Sequence, residues 1–215
     1  MPRVSDRSKP YLSIVRYCET LLEQHGDSHL GVGSRTQENA HIGFRVMLDL
    51  ITTGTAKVSL LDFGCGLSHL YEYIRAEGLD HIAYSGLDLS PRFLEVSRQK
   101  FPHLTYYDID VLEEPDRLPD FDYIVMNGIF NARLNMSYSD MFDYITNVLR
   151  AVFPKTRIGL AFTVMSKYVD WERDDLFHLP FDELATLLDD HLTRNFVIRH
   201  DYGRYEYTTY LYRTC

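Results

Sequence analysis

Residues 58–72 read VSLLDFGCGLSHLYE: an apolar run holding one Asp, two glycines spaced two apart, and then an amphipathic continuation. Val58 to Phe63 suits a buried strand, and His69 to Glu77 suits a helix. Gly64 and Gly66 suit the turn between them, where a backbone without side chains can approach a ligand and the helix offers free N–H groups. A dinucleotide-binding turn, G-x-G-x-x-G, would place a third glycine at position 69, and that position is His69. A side chain there crowds the helix–strand contact, which weakens a nicotinamide-dinucleotide reading.

Working outward, short apolar runs alternate with amphipathic ones. Ile82 to Leu87 reads as a second strand. Ser90-Pro91, a capping residue followed by Pro at the first helical position, opens a helix through Lys100. Thr105 to Ile109, residues 121–127 (FDYIVMN) and Arg157 to Val164 read as three more strands. Asp140 to Val152 and Phe181 to Leu192 read as helices. This alternation implies a parallel sheet covered on both faces. At the end, NFVIRHDYGRYEYTTYLYR leaves no room for a helix between two β-rich runs, so an antiparallel hairpin closes the chain.

The expected fold is therefore α/β: a Rossmann-like, doubly wound, mostly parallel seven-stranded sheet with a C-terminal antiparallel hairpin. The first 50 residues read as an N-terminal helical cover of two helices, residues 11–25 and 38–51, joined through the glycine-broken GDSHLGVGSRTQ. The whole chain, 1–215, reads as one domain, with 1–50 as the cover or lid and 58–215 as the core. With 215 residues and 25% charged side chains it has the size and composition of a single soluble unit.

The net charge of −9 opposes a polynucleotide partner. Three cysteines, Cys18, Cys65 and Cys215, show no metal-ligand spacing and fit a reducing, cytoplasmic compartment. No apolar run approaches the roughly 18 residues of a membrane span. Neither nucleic acid nor membrane is expected as a partner, and no metal.

Ligands of doubly wound sheets sit beyond the carboxyl ends of the strands. Asp88 ends the second strand, 22 residues after Gly66 (88 − 66), where a carboxylate can accept both hydroxyls of a ribose; Asp88 also competes with Ser90 as the cap of the next helix. The turn and this acidic residue together favour an adenosine-type ligand.

These features bring the sequence close to a known family. LLDFGCGLS, YSGLDLSP, YYDIDVLEE and FDYIVMNGIF, in that order, resemble the class I S-adenosylmethionine-dependent methyltransferases over about residues 58–165, and the closing hairpin resembles that family's reversed strand pair. The resemblance implies S-adenosyl-L-methionine as cofactor. It implies that Asp62 orders the turn, that Gly64, Cys65 and Gly66 contact the methionine part, and that Asp88 with Leu89 takes the ribose. It further implies that Asp110 takes the adenine amino group with Val111 or Ile109 beside the ring, Asp108 being the competing choice, and that Asn127 and Gly128 lie near the transferable methyl. The family's third small turn residue is Ser68 here, a residue that suits a helix start.

For chemistry, His200 in RHDYGRYE, 199–206, is the candidate general base, because a sixth strand parallel to the others would project this turn toward the cofactor. Asp201, Tyr202, Arg204, Tyr205 and Glu206 are candidates to orient a polar acceptor. Arg133 and Asn131 after the fourth strand, and Ser166, Lys167 and Tyr168 after the fifth, are further acceptor candidates, weighed against plain loop solubility. Tyr11, Tyr17, His25, His29, Ser34, Arg35 and Gln37 are candidate pocket residues of the cover. The tyrosines at 205, 207, 210 and 212 are expected to divide between two faces only through a bulge. The fourth strand ends MNGIF, without the Asn/Asp-Pro-Pro-aromatic motif of nucleobase amino methylation in related enzymes.

The expected activity is methyl transfer to a small molecule, with O-methylation of a sugar, carboxylate or natural-product intermediate foremost. Competing readings are a noncatalytic S-adenosylmethionine-binding sensor or partner protein, and an NAD-dependent oxidoreductase. The expected partners are a small-molecule acceptor and a second copy of the chain in a homodimer.

Overall fold

The computed structural model of the chain describes residues 9–52 and 54–213. Cys215 and the first eight residues of the expected cover lie outside them.

Strands β1 (Val58–Phe63), β2 (Ile82–Leu87), β3 (Thr105–Tyr107), β4 (Phe121–Met126), β5 (Thr156–Met165), β6 (Phe196–Arg199) and β7 (Glu206–Tyr212) form one sheet in the order β3-β2-β1-β4-β5-β7-β6. The pairs β3–β2, β2–β1, β1–β4 and β4–β5 are parallel. β7 runs antiparallel to both β5 and β6, so β6 points the same way as the parallel strands and β7 is the reversed one. The sheet order reverses direction beside β1, the position at which such sheets bind ligands.

Helices α1 (Leu12–His25), α2 (Gln37–Leu48), α3 (His69–Ala76), α4 (Pro91–Lys100), α5 (Tyr138–Val152) and α6 (Phe181–His191) surround the sheet. Local chemistry sets their limits. Ser90 accepts the Phe93 N–H with Pro91 in the first turn, opening α4 as expected. A capping box between Ser137 and Asp140 starts α5 at Tyr138, two residues ahead of the expected Asp140. β3 stops at Tyr107 rather than Ile109, because Asp110 folds the chain into a turn: its carboxylate accepts the Leu112 N–H and its carbonyl the Glu113 and Glu114 N–H groups.

Two apolar layers sandwich the sheet. Leu61, Ile124, Phe162 and Tyr207 face Ile145 of α5 and Leu188 of α6. Leu60, Tyr123, Val125 and Tyr210 face Val46 and Met47 of α2 and Leu70 and Ile74 of α3. Full burial of such a side chain stabilises by roughly 1.5–3 kcal/mol, so α2 is a structural member of the core. Helix α1, by contrast, has no fully buried residue.

The tyrosines of β7 correct one expectation. Tyr207 and Tyr210 lie on opposite faces of an unbroken strand; odd and even positions separate them without a bulge. Both hydroxyls are used inside, Tyr207 donating to Leu179 O at 3.1 Å and Tyr210 to Val46 O.

Candidate active site

The carboxyl ends of β1, β4 and β5 and the hairpin joining β6 to β7 open into one cleft of about 520 Å³. Its floor is the first turn. Gly64 has φ +79°, and a Cβ there would come within 2.3 Å of Ile129 Cγ2. Ser68 also sits in the left-handed region, at φ 60°, and makes no capping bond. Its hydroxyl instead bonds Ser97 Oγ at 2.9 Å and the Tyr106 hydroxyl at 3.0 Å, so the expectation of a helix-capping serine is corrected: glycine's freedom is what the position uses, and Ser68 holds it through buried hydrogen bonds.

Two acids stand behind the turn. Asp88 accepts the Gly66 N–H at 2.9 Å on Oδ2 and the Ser90 N–H at 2.8 Å on Oδ1. One donor on each oxygen leaves a lone pair on each, which fits a ribose diol. Burial, reinforced by the charge of Glu19, pushes the Asp88 carboxyl up to about 6, against the pull of the Ser90, Gly66 and Leu89 backbone N–H groups. Asp62, 4% exposed, accepts the Tyr84 hydroxyl at 2.8 Å; burial, reinforced by the charge of Asp88, pushes it up to about 7.

The far end of the cleft is built differently. Gly203, Arg204, Tyr205 and Glu206 reach it from the hairpin, Asn127, Gly128 and Asn131 from the end of β4. The loop after β5 folds over this end, its Phe177 N–H bonded to Asn131 O and the Arg133 and Leu134 N–H groups to Asp175 O. His178 tethers the loop: Nε2 accepts the Arg173 N–H at 3.2 Å, which leaves Nδ1 to donate to Ser166 O at 2.7 Å. Gly43 of α2 admits both polar neighbours, since a Cβ there would lie 3.1 Å from Asn127 Nδ2 and 3.4 Å from Arg204 Nη1.

Residues 61–158 match the family described as a methyltransferase domain. Over 152 residues the chain is 31% identical to a Mycobacterium tuberculosis protein named "Putative methyltransferase Rv1506c", covering 70% of this chain and 90% of the relative. The chain belongs to the class I S-adenosylmethionine-dependent methyltransferases. Among solved structures, magnesium protoporphyrin IX methyltransferase from Synechocystis PCC 6803 with bound S-adenosylmethionine shares the fold, at TM-score 0.64 and 12% identity, with all of both chains covered. So does the 1,6-didemethyltoxoflavin-N1-methyltransferase of Burkholderia thailandensis, at TM-score 0.61 and 16% identity over 100% of this chain and 93% of that one.

In this methyltransferase, Asp62, Gly64, Cys65, Gly66, Asn127 and Gly128 line the cleft as a group. Asp88, Leu89, Asp110 and Val111 do not line it, and the N-terminal segment contacts the Asp88 and Asp110 regions. Tyr11, at the start of α1, donates to Asp110, and Glu19 of α1 accepts the Ser90 hydroxyl at 2.5 Å. Asp108 is exposed and Val111 is buried in the core. Of the cover candidates, Tyr17, Ser34 and Arg35 line the cleft, whereas His25, His29 and Gln37 do not.

The expected acceptor residues divide as sharply. Arg204 lines the cleft. His200 does not: it packs edge-on against Phe181, with ring centroids 5.8 Å apart, and its Nε2 lies 3.1 Å from Arg204 O. Tyr202 turns into the α2-side core and bonds Thr208. Arg133 holds Asp174 O, and Tyr168 is 72% exposed, stacked on Phe181. Arg173 and Asp175, which pair with each other, and Met165 line the cleft without having been singled out by sequence. Their signal was positional only, a polar stretch after a parallel strand. No group of three or more potential metal ligands occurs among the described residues, and no described helix is long and apolar enough to cross a membrane.

Proposed function

We propose that this methyltransferase transfers the methyl group of S-adenosylmethionine to an oxygen of a small-molecule acceptor held between the β4 end, the hairpin and the loop after β5. The observation that carries this reading is the single cleft that joins the glycine turn to a separate polar end built on Asn127, Asn131, Arg204 and Glu206. Its volume of about 520 Å³ is in the range of small-ligand sites. A net charge of −9 opposes a polynucleotide acceptor. The Synechocystis and Burkholderia enzymes, named for a porphyrin and for 1,6-didemethyltoxoflavin, are consistent with a small acceptor.

On this reading Gly64, Gly66, Cys65 and Asp62 hold the amino-acid end of the donor, and Asp88 with Leu89 holds the ribose once the α1 contact at Ser90 gives way. The bound donor supplies an electrophilic methyl; the protein orients the acceptor about 3 Å from it and excludes water. The odd cysteine count without metal-ligand spacing supports a reducing, cytoplasmic location.

Two measurements test the proposal. S-adenosylhomocysteine at about 100 times its dissociation constant should stabilise the protein by about 2.7 kcal/mol, and NADH should not. A pool of small metabolites incubated with methyl-labelled S-adenosylmethionine should yield a labelled O-methyl product; stabilisation without any labelled product would favour a noncatalytic binding protein.

A further inference from the structure

Glu206 is 6% exposed, yet it lines the cleft. Asn131 Nδ2 donates to its Oε2 at 2.9 Å, and Arg204 Nη2 lies 3.2 Å from its Oε1. Those contacts leave lone pairs on both oxygens. Beside it, Asn131 Oδ1 is buried and has no hydrogen-bond partner among the described residues. The donation from Nδ2 to a carboxylate fixes the orientation of the amide, so the orphan atom is the oxygen. A buried acceptor left unpaired costs about 1–3 kcal/mol, which a ligand's donor would recover. Both free groups accept and neither donates, so the complement is a molecule that brings hydrogen.

We propose that Glu206 is the general base of the transfer, acting on a hydroxyl of an acceptor molecule whose second donor group Asn131 Oδ1 holds. The proposal rests on the methyltransferase reading and narrows its acceptor class. The acceptor O–H bond breaks with its proton passing to Glu206; the oxygen forms the new bond to the methyl carbon; the carbon–sulfur bond breaks and its electron pair stays on sulfur. The products are a methyl ether, S-adenosylhomocysteine and a protonated Glu206, which then releases its proton to solvent. An amine attacks through a lone pair it already has, whereas a hydroxyl gains most from a base in place. A carboxylate acceptor has no proton to give at neutral pH and would meet a like charge in a site of low dielectric. Burial raises the Glu206 carboxyl above its usual range, with Arg204 and Asn131 pulling it back. The charged and titratable groups sharing the cleft with it are Arg204 and Tyr205 on the hairpin, Tyr17 and Cys18 on α1, Arg35 ahead of α2, Asp62 on β1, Cys65 in the turn after it, His69 on α3, and Arg173 and Asp175 on the loop.

The test compares the full-length protein with Glu206→Gln and Asn131→Ala, using methyl-labelled S-adenosylmethionine and a panel of pure sugars, phenols, amines and carboxylic acids. Label is expected in hydroxyl compounds. Glu206→Gln should lower kcat at least 100-fold on the labelled compound and abolish its rise with pH, while the S-adenosylhomocysteine Kd stays within twofold. Asn131→Ala, which removes a donor from the carboxylate, should move the midpoint of that rise to higher pH. A carbon-13 titration of glutamate-labelled protein with S-adenosylhomocysteine bound should show one carboxyl titrating above the usual range, absent in Glu206→Gln. Label confined to carboxylic acids or amines, an unchanged kcat and pH profile in Glu206→Gln, or no high-titrating carboxyl would each overturn the proposal. Wild-type protein that binds S-adenosylhomocysteine but labels no compound would overturn the underlying small-molecule reading instead.

Discussion

The Tyr11 hydroxyl donates a 2.7 Å hydrogen bond to Asp110 Oδ2, with the Tyr11 ring stacked on Tyr144 at a centroid distance of 5.1 Å. Lys9 Nζ reaches the same oxygen at 3.1 Å. The carboxylate proposed for the adenine amino group thus already has donors, supplied by the start of the cover. Burial, and then the bond to Asp110, raise the Tyr11 pKa, so the hydroxyl remains a donor at any ordinary pH. A cofactor that uses Asp110 must displace this contact. A hydrogen bond to a charged group is worth about 1.5–3 kcal/mol, so Tyr11→Phe should tighten S-adenosylhomocysteine binding by about tenfold. Calorimetric titration decides it, and weaker binding by the variant would show that Tyr11 supports the adenine rather than competing with it.

The proposed ribose role of Asp88 predicts a cofactor affinity that depends on pH. The Asp88 carboxyl titrates at about 6, and the ionised form accepts hydroxyl donors best. Affinity for S-adenosylhomocysteine should be level above pH 7 and fall as the pH drops through about 6. Asp88→Ala should weaken binding by at least tenfold at pH 7.5. A calorimetric series from pH 5 to 8 measures both, and a flat profile for the wild type would remove Asp88 from the ribose site.

Why the glycine turn was legible in sequence, while the polar end of the cleft was legible only as a list of candidates, follows from the range of the contacts. The turn after β1 is written in consecutive residues: an apolar strand, two glycines and an amphipathic helix, and β1 begins and ends where the run VSLLDF does. Ser90-Pro91 likewise marks α4 by local chemistry. Glu206 reads in sequence as one of five polar hairpin residues that could orient an acceptor, with nothing to set it apart from Asp201 or Tyr202. Its burial depends on Asn131, 75 positions away, and on a loop whose path no periodicity predicts. His200 failed to reach the cleft for a similar reason. The hairpin does project to the cofactor side as expected, but the chain turns again before Gly203, and the imidazole is left against Phe181 of α6.

Gly64 and Gly78 separate two costs of replacing glycine. Both have positive φ, +79° and +66°, but a Cβ at Gly78 meets open space whereas one at Gly64 meets Ile129 Cγ2 at 2.3 Å. Gly78→Ala should lose roughly 1 kcal/mol for the left-handed backbone alone. Gly64→Ala must also displace Ile129 beside the cleft, and should lose roughly 2–4 kcal/mol. Urea denaturation of the two variants provides the comparison, and equal losses would mean that the β4 end yields without cost.

Asp62 predicts a stability that depends on pH in the direction opposite to a salt-bridged acid. Its carboxyl titrates at about 7 in the folded chain and near 3.9 when unfolded, so the folded state binds the proton more tightly. Stability from this group therefore declines as the pH rises from about 4 to about 7 and stays low above that. Asp62→Asn keeps an acceptor for the Tyr84 hydroxyl, turns its amide toward the cleft and carries no charge. At about 1.4 kcal/mol per unit of difference, the variant should be more stable than wild type by roughly 2–4 kcal/mol at pH 8, with the gain vanishing near pH 4. Urea midpoints of both proteins across that range decide the matter. A gain of the same size at both ends would point to packing, and a loss at pH 8 would show that the turn needs the charge.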